Sequence, residues 1–422
     1  MNSVRKISKT IARALRDFWI AAGIALVFFV VVEVAYRAQS EIRHRVRVRS
    51  ARNLPRGPTN PFESTTWWKD YWVDHGRVVS TLDWEPYLYV RNPTFSGKVI
   101  SVDSLGHRVT PVPPSAAVKR VRIFFFGGST TFGWFQRNEH TIPAETSRRL
   151  QDALGGQAGV DPTNFGVPGR VFAQEVFELI LQLRKGERPD VVVFFDGINE
   201  VVAAVDNGQT GVTLNEINRA EDFRRGRELF EAADPGLAND RKWAGRVLRI
   251  AADRVQFVRS IARHMHPSAA PVSLISTDSA ARGIVSTYSG TVGIVEALSR
   301  QYGFQPIYVW QPVFLTMKKP LTVRETYLLH ALSRWDLPQI RDLHVMLPPL
   351  ISAAVRPIAG SRFIDETSIF MNDSLDVYED AIGHTYERAI PGIVDSIMPA
   401  VTAAARRALG LPADSLAGAK IH

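Results

Sequence analysis

The chain of 422 residues contains no cysteine, so the sequence offers no disulfide framework. This is compatible with an oxidising compartment but does not identify one. The sequence also lacks a Gly-x-x-x-x-Gly-Lys-Ser/Thr phosphate loop, a Gly-x-Ser-x-Gly nucleophile elbow and His-Glu-x-x-His metal spacing. No internal repeat is present. These absences argue against a P-loop nucleotidase, a zinc protease and a repeat protein, and we predict no cofactor and no metal.

An excess of positive charge is missing from most of the chain. Residues 1–56 contain 12 Lys or Arg and 3 Asp or Glu, which accounts for the entire net charge of +9. The remaining residues carry 39 charges of each sign, so the folded part is electrically balanced. We therefore predict no nucleic-acid partner. The basic residues instead surround an apolar segment, where anionic lipid headgroups would attract them.

That apolar segment, residues 18–36, has the length of a membrane span. As a helix it would be about 28 Å long, close to the hydrocarbon thickness of a bilayer. We predict a retained single-pass anchor; the alternative is a cleaved signal peptide, although no clean small-residue cleavage site follows. Five basic residues precede the span and seven arginines follow it between residues 37 and 56, so the orientation rests on the long succeeding domain, which we place outside the cytoplasm.

A candidate nucleophile follows an apolar strand. Residues 123–126 are apolar, and residues 127–133 read Gly-Gly-Ser-Thr-Thr-Phe-Gly, which typically ends a strand and begins a helix. In open α/β sheets ligand crevices form at the carboxyl ends of the strands, so Ser129 would face such a crevice. The alternative is that Ser129 is only a helix N-cap in an ordinary turn.

Three further segments offer partners for this serine. Residues 164–169 form a glycine-rich bend, residues 191–200 run from an apolar strand through Gly197 to Asn199, and Asp380 lies four residues before His384. A hydroxyl, backbone amides, a side-chain amide, an imidazole and a carboxylate are the groups that acyl transfer needs. Each segment also has a purely structural interpretation, as a turn, a helix cap or a surface histidine.

Together these segments resemble the four blocks of the SGNH (GDSL) hydrolases, in particular bacterial membrane-anchored members whose first block reads Gly-Gly-Ser-Thr-Thr-Phe-Gly. The resemblance covers about residues 95–402. The third block ends in Glu200, where the family usually has aspartate. In the fourth block three residues separate Asp380 from His384, where the family has two. Asp376 or Asp373 is therefore an alternative partner for the histidine, although on a helical turn Asp380 could reach it.

The resemblance implies a role for each matched residue. Ser129 would be the nucleophile, His384 the general base and Asp380 its carboxylate, while the oxyanion hole would comprise the backbone N–H groups of Ser129 and Gly169 and the side chain of Asn199. It implies a serine esterase of the bacterial inner membrane with a periplasmic catalytic domain, removing acyl groups such as acetyl from a glycan or small molecule. The alternatives are an O-acyltransferase and an inactive glycan-binding protein. The oligomeric state is not predicted.

Three near-continuous apolar runs predict the sheet. Residues 121–126, 191–195 and 306–310 are typical of parallel strands covered on both faces, and the amphipathic residues 292–302 precede the third. Strand, helix and strand in alternation predict an α/β fold with a doubly wound, mostly parallel sheet sandwiched by helices, as in the three-layer flavodoxin-like arrangement.

The predicted organisation has five parts and an insertion. An aromatic-rich stretch around Trp67, Trp84, Tyr87 and Tyr89 is expected to pack against the catalytic domain, with sugar stacking or membrane contact as alternatives. The insertion is predicted to be helical over residues 221–257, with a break near residues 234–236, and to cap the crevice unless it is decorative. The parts are a basic tail (1–17), the anchor (18–36), a linker segment (37–115), the hydrolase domain (116–402) with the insertion (201–285), and a C-terminal tail (403–422).

Overall fold

A computed structural model describes residues 60–223, 275–316, 318–331, 338–380 and 382–412, together with scattered helical positions between Leu15 and Glu33. The chain divides into two units, one comprising residues 1–56 and 218–271 and the other residues 57–217 and 272–422. In the first unit the described residues are helical. Most of the basic tail and anchor, residues 37–56, the centre of the insertion and residues 413–422 lie outside the described residues.

Nine α-helices and nine strands have both ends within the described residues of the second unit, in addition to short 3-10 turns. In chain order they are α1 (Thr66–Ser80), β1 (Asp83–Glu85), β2 (Tyr89–Arg91), β3 (Phe95–Ser96), β4 (Ser101–Val102), β5 (Arg120–Gly127), α2 (Ser129–Phe132), α3 (Ile142–Ala153), β6 (Gly159–Asn164), α4 (Phe172–Arg184), β7 (Val191–Asp196), α5 (Ile198–Asn207), α6 (Thr277–Tyr302), β8 (Gln305–Trp310), α7 (Val323–Ala331), α8 (Pro338–Ala359), β9 (Phe363–Asp365) and α9 (Ile390–Ala408).

Five of these strands form one parallel sheet in the order β6–β5–β7–β8–β9. The chain begins in the interior of the sheet, crosses to one edge, returns, and then adds strands toward the other edge. This order is that of a doubly wound sheet, and it confirms the predicted α/β class and all three predicted strands. The two edge strands, β6 and β9, were not predicted.

Alternate residues of the central strands enter two separate cores. Phe124, Phe126 and Phe194 pack against α4, α5, α6 and α8 on one face. Ile123 and Phe125, with their neighbours of the same parity, pack against α3 and α9 on the other face. Because both faces are covered, the strands are apolar along nearly their whole length, and the sequence predicts them for that reason.

Helix α8 and the turn after it, Pro338–Arg362, form the one stretch of the described residues that is long and apolar enough to cross a membrane by length and composition. Its residues Leu343, Leu347 and Ile351 are fully buried in the first core. It is therefore a core helix of the sheet domain, and it is distinct from the predicted N-terminal anchor.

Residues 60–115 belong to the same unit as the sheet. Helix α1 contributes Trp68 and Tyr71 to a third buried cluster, which also contains Phe132 and Phe135 from the segment that follows β5. The expected packing of this aromatic stretch is thus present for Trp68 and Tyr71. Trp84 and Tyr87, on the β1–β2 hairpin, are exposed instead.

The insertion predicted at residues 201–285 overlaps regular elements at both ends. Helix α5 continues to Asn207. Helix α6 begins at Thr277, well before the amphipathic stretch predicted at residues 292–302, and ends at Tyr302. Both helices pack on the sheet. Residues 224–274, which include the predicted cap helix and its break, lie outside the described residues.

Candidate active site

Three of the predicted site segments follow neighbouring strands of the parallel sheet. Strand β5 ends at Gly127 and Ser129 opens α2; β6 ends at Asn164 and leads to Gly169; β7 ends at Asp196 and Asn199 lies in the first turn of α5. Parallel strands place their carboxyl ends at one edge, so these segments meet there. The Asn164 side chain ties two of them together, donating to Thr131 O at 2.9 Å and accepting from Gly166 N at 2.8 Å.

Ser129, His384 and Asp380 form a continuous chain of side-chain contacts. Ser129 Oγ lies 2.6 Å from His384 Nε2, and His384 Nδ1 lies 2.5 Å from Asp380 Oδ2. Ser129 is 8% exposed and His384 5% exposed, so the pair lies in a largely enclosed position. With a proton on Nδ1 facing the carboxylate, Nε2 is the acceptor for the serine hydroxyl.

The Asp380–His384 segment is the tip of a hairpin and not the helical turn considered from the sequence. Tyr378 and Thr385 form an antiparallel bridge, and Glu379 N–H donates to His384 O at 2.9 Å. Within the tip, Asp380 Oδ1 accepts the backbone N–H groups of Ile382, Gly383 and His384 at 3.0, 3.0 and 3.1 Å. The backbone amides of Ile382, Gly383 and His384 therefore converge on one carboxylate oxygen, which leaves the other oxygen for the imidazole.

The two alternative aspartates have other partners. Asp376 accepts from the hydroxyl of Thr322, and Asp373 forms an ion pair with Arg388 at 3.2 Å. Neither contacts His384. Burial alone would raise the pKa of Asp380, but the attraction of His384, its hydrogen bond and the backbone amides together hold the pKa of Asp380 below its ordinary value. The carboxylate is therefore ionised at neutral pH.

The groups predicted for an oxyanion hole belong to the segments that follow β5, β6 and β7. Among the described residues, the backbone N–H groups of Ser129 and Gly169 donate to no other group. Asn199 Nδ2 donates to Arg170 O at 2.6 Å, which leaves its second N–H for another acceptor. A β-carbon at position 128 would lie 2.2 Å from Asn199 Nδ2, so only glycine at 128 allows the amide to approach the nucleophile segment so closely.

Two aromatic side chains, Trp134 and Phe135, form a wall against the imidazole of His384 that the sequence analysis did not predict. The ring centroid of Trp134 lies 4.6 Å from that of His384, and that of Phe135 lies 5.7 Å away. Helix α1 supports this wall, since Phe135 N–H donates to Tyr71 Oη at 2.7 Å and the His75 ring packs 4.9 Å from Trp134. Burial lowers the pKa of His75 to about 4, so it is neutral near pH 7. The density of aromatic residues was visible in the sequence, but their contact with the site was not.

Ion pairs anchor the hairpin that carries His384. Lys319 and Glu325 form a fully buried pair; Lys319 also donates to Leu375 O at 2.8 Å, and Glu325 accepts from Val377 N at 3.0 Å. One residue before Asp380, Glu379 accepts from Arg324 at 2.9 Å. These contacts hold in place the residues that lead into the hairpin, Leu375 and Val377, and the residue just before its tip, Glu379.

The arrangement places a hydroxyl, an imidazole, a carboxylate and unengaged N–H donors at one edge of the sheet, and these are the chemical groups that acyl transfer needs. Over the parts of the chain that the structure describes, no group of three or more His, Asp or Glu residues is arranged to hold a metal ion.

No family model and no curated protein matches the chain. Solved structures do match it. A carbohydrate acetylesterase family member from Sinorhizobium meliloti matches at 15% identity, covering 69% of this chain and 100% of that protein, with a TM-score of 0.35. A lipolytic protein of the G-D-S-L family from Veillonella parvula matches at 11% identity, covering 66% and 96%, also with a TM-score of 0.35. An acetylxylan esterase from Geobacillus stearothermophilus matches at 12% identity, covering 71% and 97%, with a TM-score of 0.32.

Proposed function

We propose that this protein is a serine esterase of the SGNH type that hydrolyses acyl esters. The observation that carries the proposal is the unbroken sequence of contacts from Asp380 through His384 to Ser129, at the carboxyl edge of a parallel sheet and beside unengaged backbone donors. A serine that only capped a helix would need neither an imidazole at 2.6 Å nor a carboxylate behind that imidazole.

In the first half-reaction Ser129 Oγ attacks the ester carbonyl carbon, and His384 Nε2 takes the hydroxyl proton. The carbonyl π bond opens to an oxyanion, and Asp380 stabilises the imidazolium that forms. When the oxyanion collapses, the carbon–oxygen bond to the alcohol breaks and His384 returns the proton to the departing oxygen. The products are the free alcohol and an acyl group on Ser129.

The second half-reaction uses the same groups in reverse. His384 takes a proton from a water molecule, whose oxygen attacks the acyl-enzyme carbonyl. Collapse of the second oxyanion breaks the bond to Ser129, and the proton on His384 returns to Oγ. The carboxylic acid leaves and the resting side chains are restored.

Both oxyanions would accept hydrogen bonds from the backbone N–H groups of Ser129 and Gly169 and from the second N–H of Asn199. These donors are held before the reaction begins: Ser129 by the helix start, Gly169 by a backbone with φ of +79° and Asn199 by Arg170 O. Donors already in place stabilise the developing charge without reorganising, which is usually the largest contribution to such catalysis.

For the substrate we propose an acylated glycan. The β1–β2 hairpin is attached to the segment that follows Gly169, because Arg170 donates to Val90 O at 3.1 Å and Gln174 donates to Leu88 O at 2.8 Å. The hairpin exposes Trp84 and Tyr87. Exposed aromatic rings on an element attached to the segment after Gly169 suit the apolar faces of sugar rings.

We also propose that residues 18–36 anchor the protein in the inner membrane of a bacterium, with the catalytic unit in the periplasm. The described positions between Leu15 and Glu33 are helical, and Trp19, Ile24 and Val27 expose apolar side chains. Carbonate extraction of membranes tests the anchor: the full chain should stay in the pellet, and a chain lacking residues 1–36 should be released. Release of both would contradict the anchor.

Purified full-length protein tests the enzymatic proposal directly. It should hydrolyse p-nitrophenyl acetate and be labelled by a fluorophosphonate, and Ser129→Ala should abolish both while remaining folded. Ser147→Ala is the matched control, since Ser147 is also buried but lies on α3 and is not one of the predicted site residues. Absence of hydrolysis and labelling in the wild type would contradict the proposal. Acetyl transfer to an added oligosaccharide in place of release as acetate would identify a transferase.

A further inference from the structure

The carboxylate of Glu200 joins the beginnings of two helices. One oxygen, Oε1, accepts the backbone N–H of Phe172, the first residue of α4, at 2.7 Å. The other, Oε2, accepts the backbone N–H of Gly197, the N-cap of α5, at 2.9 Å. Both groups would otherwise be unpaired donors at helix N-termini. A single side chain thus connects the segment after β6 to the segment after β7.

Each of these helix starts carries one proposed oxyanion donor. Gly169 lies three residues before Phe172, and Asn199 directly precedes Glu200 in the first turn of α5. A second contact links the same two segments, because Asn199 Nδ2 donates to Arg170 O at 2.6 Å. The relative position of the two donors is therefore set by two bridges, one from the Asn199 amide and one from the Glu200 carboxylate.

Two opposing effects act on the Glu200 carboxyl. Burial raises its pKa above the ordinary value, whereas the hydrogen bonds from the backbone N–H groups of Phe172 and Gly197, at the positive ends of two helix dipoles, oppose that rise. Glu200 also borders a cavity of about 30 Å³ that Phe172, Thr287 and Tyr288 help to line. Burial raises the pKa of the neighbouring carboxyls Glu175 and Asp196, and the negative charge of Glu200 raises both further.

We propose that Glu200 is a positioning residue for the oxyanion hole, holding the backbone N–H of Gly169 and the side chain of Asn199 at the separation that the transition state requires. This inference rests on the proposed esterase function. Glu200 does not touch the substrate. It acts through the two backbone amides that it binds, and a displacement of those segments by a fraction of an ångström weakens hydrogen bonds that matter only when the oxyanion forms.

Two variants of the full-length protein test this role. Glu200→Gln keeps the size of the side chain but turns an N–H donor toward a backbone N–H, which pushes the segments apart. Glu200→Asp keeps the charge but shortens the reach by one methylene. With p-nitrophenyl acetate we expect Glu200→Gln to lower kcat about tenfold to hundredfold with KM within twofold of wild type, and to slow fluorophosphonate labelling by a similar factor. Glu200→Asp should recover part of the loss.

Glu366→Gln is the matched control, since Glu366 is also enclosed and has a raised pKa, but it follows β9 and binds Ser396. Its kcat should equal that of the wild type. A folded Glu200→Gln protein with kcat within twofold of wild type would overturn the inference, as would an equal loss in the control. If Glu200→Gln does not fold, an unchanged kcat in Glu200→Asp overturns it and a lowered kcat with unchanged KM supports it. A wild type without activity overturns the proposed function itself.

Discussion

Asp380 has two separable tasks, and two substitutions distinguish them. Its Oδ2 faces the imidazole, whereas its Oδ1 holds three backbone amides of the hairpin tip. Asp380→Asn keeps an oxygen for those amides and replaces the other oxygen with an NH₂ group. That group donates toward His384 Nδ1, so the ring proton moves to Nε2 and the nitrogen facing Ser129 can no longer accept a proton. We expect kcat to fall by about 10⁴ at nearly unchanged stability.

Asp380→Ala removes the amide acceptor as well. Three hydrogen bonds to a charged oxygen would be lost, each worth about 1.5 to 3 kcal/mol when enclosed. The Asp380 side chain is 27% exposed, so water replaces part of this, and we expect a loss of about 2 to 4 kcal/mol in the free energy of unfolding. The activity loss should match or exceed that of the asparagine variant.

Both variants are compared with wild type by p-nitrophenyl acetate hydrolysis and by urea unfolding monitored through tryptophan fluorescence. The asparagine variant should unfold within about 1 kcal/mol of wild type, and the alanine variant should unfold earlier. Retention of more than a tenth of wild-type kcat by Asp380→Asn would refute the tautomer argument. Equal stability of the two variants would refute the anchoring argument.

Three further changes have defined outcomes. Asn199→Ala should lower kcat about a hundredfold, or about 3 kcal/mol, with little change in KM, and a loss below fivefold in steady-state kinetics would exclude it as an oxyanion donor. Burial raises the pKa of Glu366 to about 8 from 4.5, so the stability that Glu366 contributes is complete below pH 4.5 and is lost as the pH rises through 8. This loss amounts to at most about 5 kcal/mol in the free energy of unfolding. Glu366→Gln cannot ionise, so its free energy of unfolding should fall less than that of wild type between pH 5 and pH 9. Lys319→Met leaves Glu325 buried without its cation and should cost about 3 to 5 kcal/mol in chemical denaturation. Lys319→Met with Glu325→Leu should recover only part of this loss, because the backbone groups Leu375 O and Val377 N–H then lose their partners.

The sequence predicted those strands that are buried on both faces. Strands β5, β7 and β8 are continuous apolar runs because helices cover them on each side. Strand β6 contains Asp161, Pro162 and Thr163, and proline and polar residues are tolerated there because the strand lies at the edge of the sheet. Strand β9 has only three residues. Helix α8 contains Pro348, Pro349 and Pro357, which conceal a helical pattern that tertiary packing nevertheless maintains.

For the candidate site, apolar runs predicted the positions of the residues that follow strands, whereas the prediction of His384 and Asp380, which reach the site across the fold, depended on the four-block resemblance. Ser129 and Asn199 come directly after apolar runs, so their position at the sheet edge could be argued in advance. The preference for Asp380 over Asp376 depended on proximity alone, since the hairpin that places it beside His384 is set by contacts with Lys319, Glu325 and Arg324. The bridge made by Glu200 and the wall made by Trp134 depend on contacts between distant segments, which spacing in the chain does not encode.

The hydroxyl of Tyr71 on α1, which accepts the N–H of Phe135, has a practical consequence for dissecting the molecule. A fragment cut at residue 116, where the first strand of the large sheet is about to begin, would discard the helix that supports the wall behind His384 and would expose Phe132 and Phe135 to water. The shortest fragment suited to crystallisation or ligand screening therefore begins before Asn60, whose side chain already reaches Glu379 at 2.6 Å.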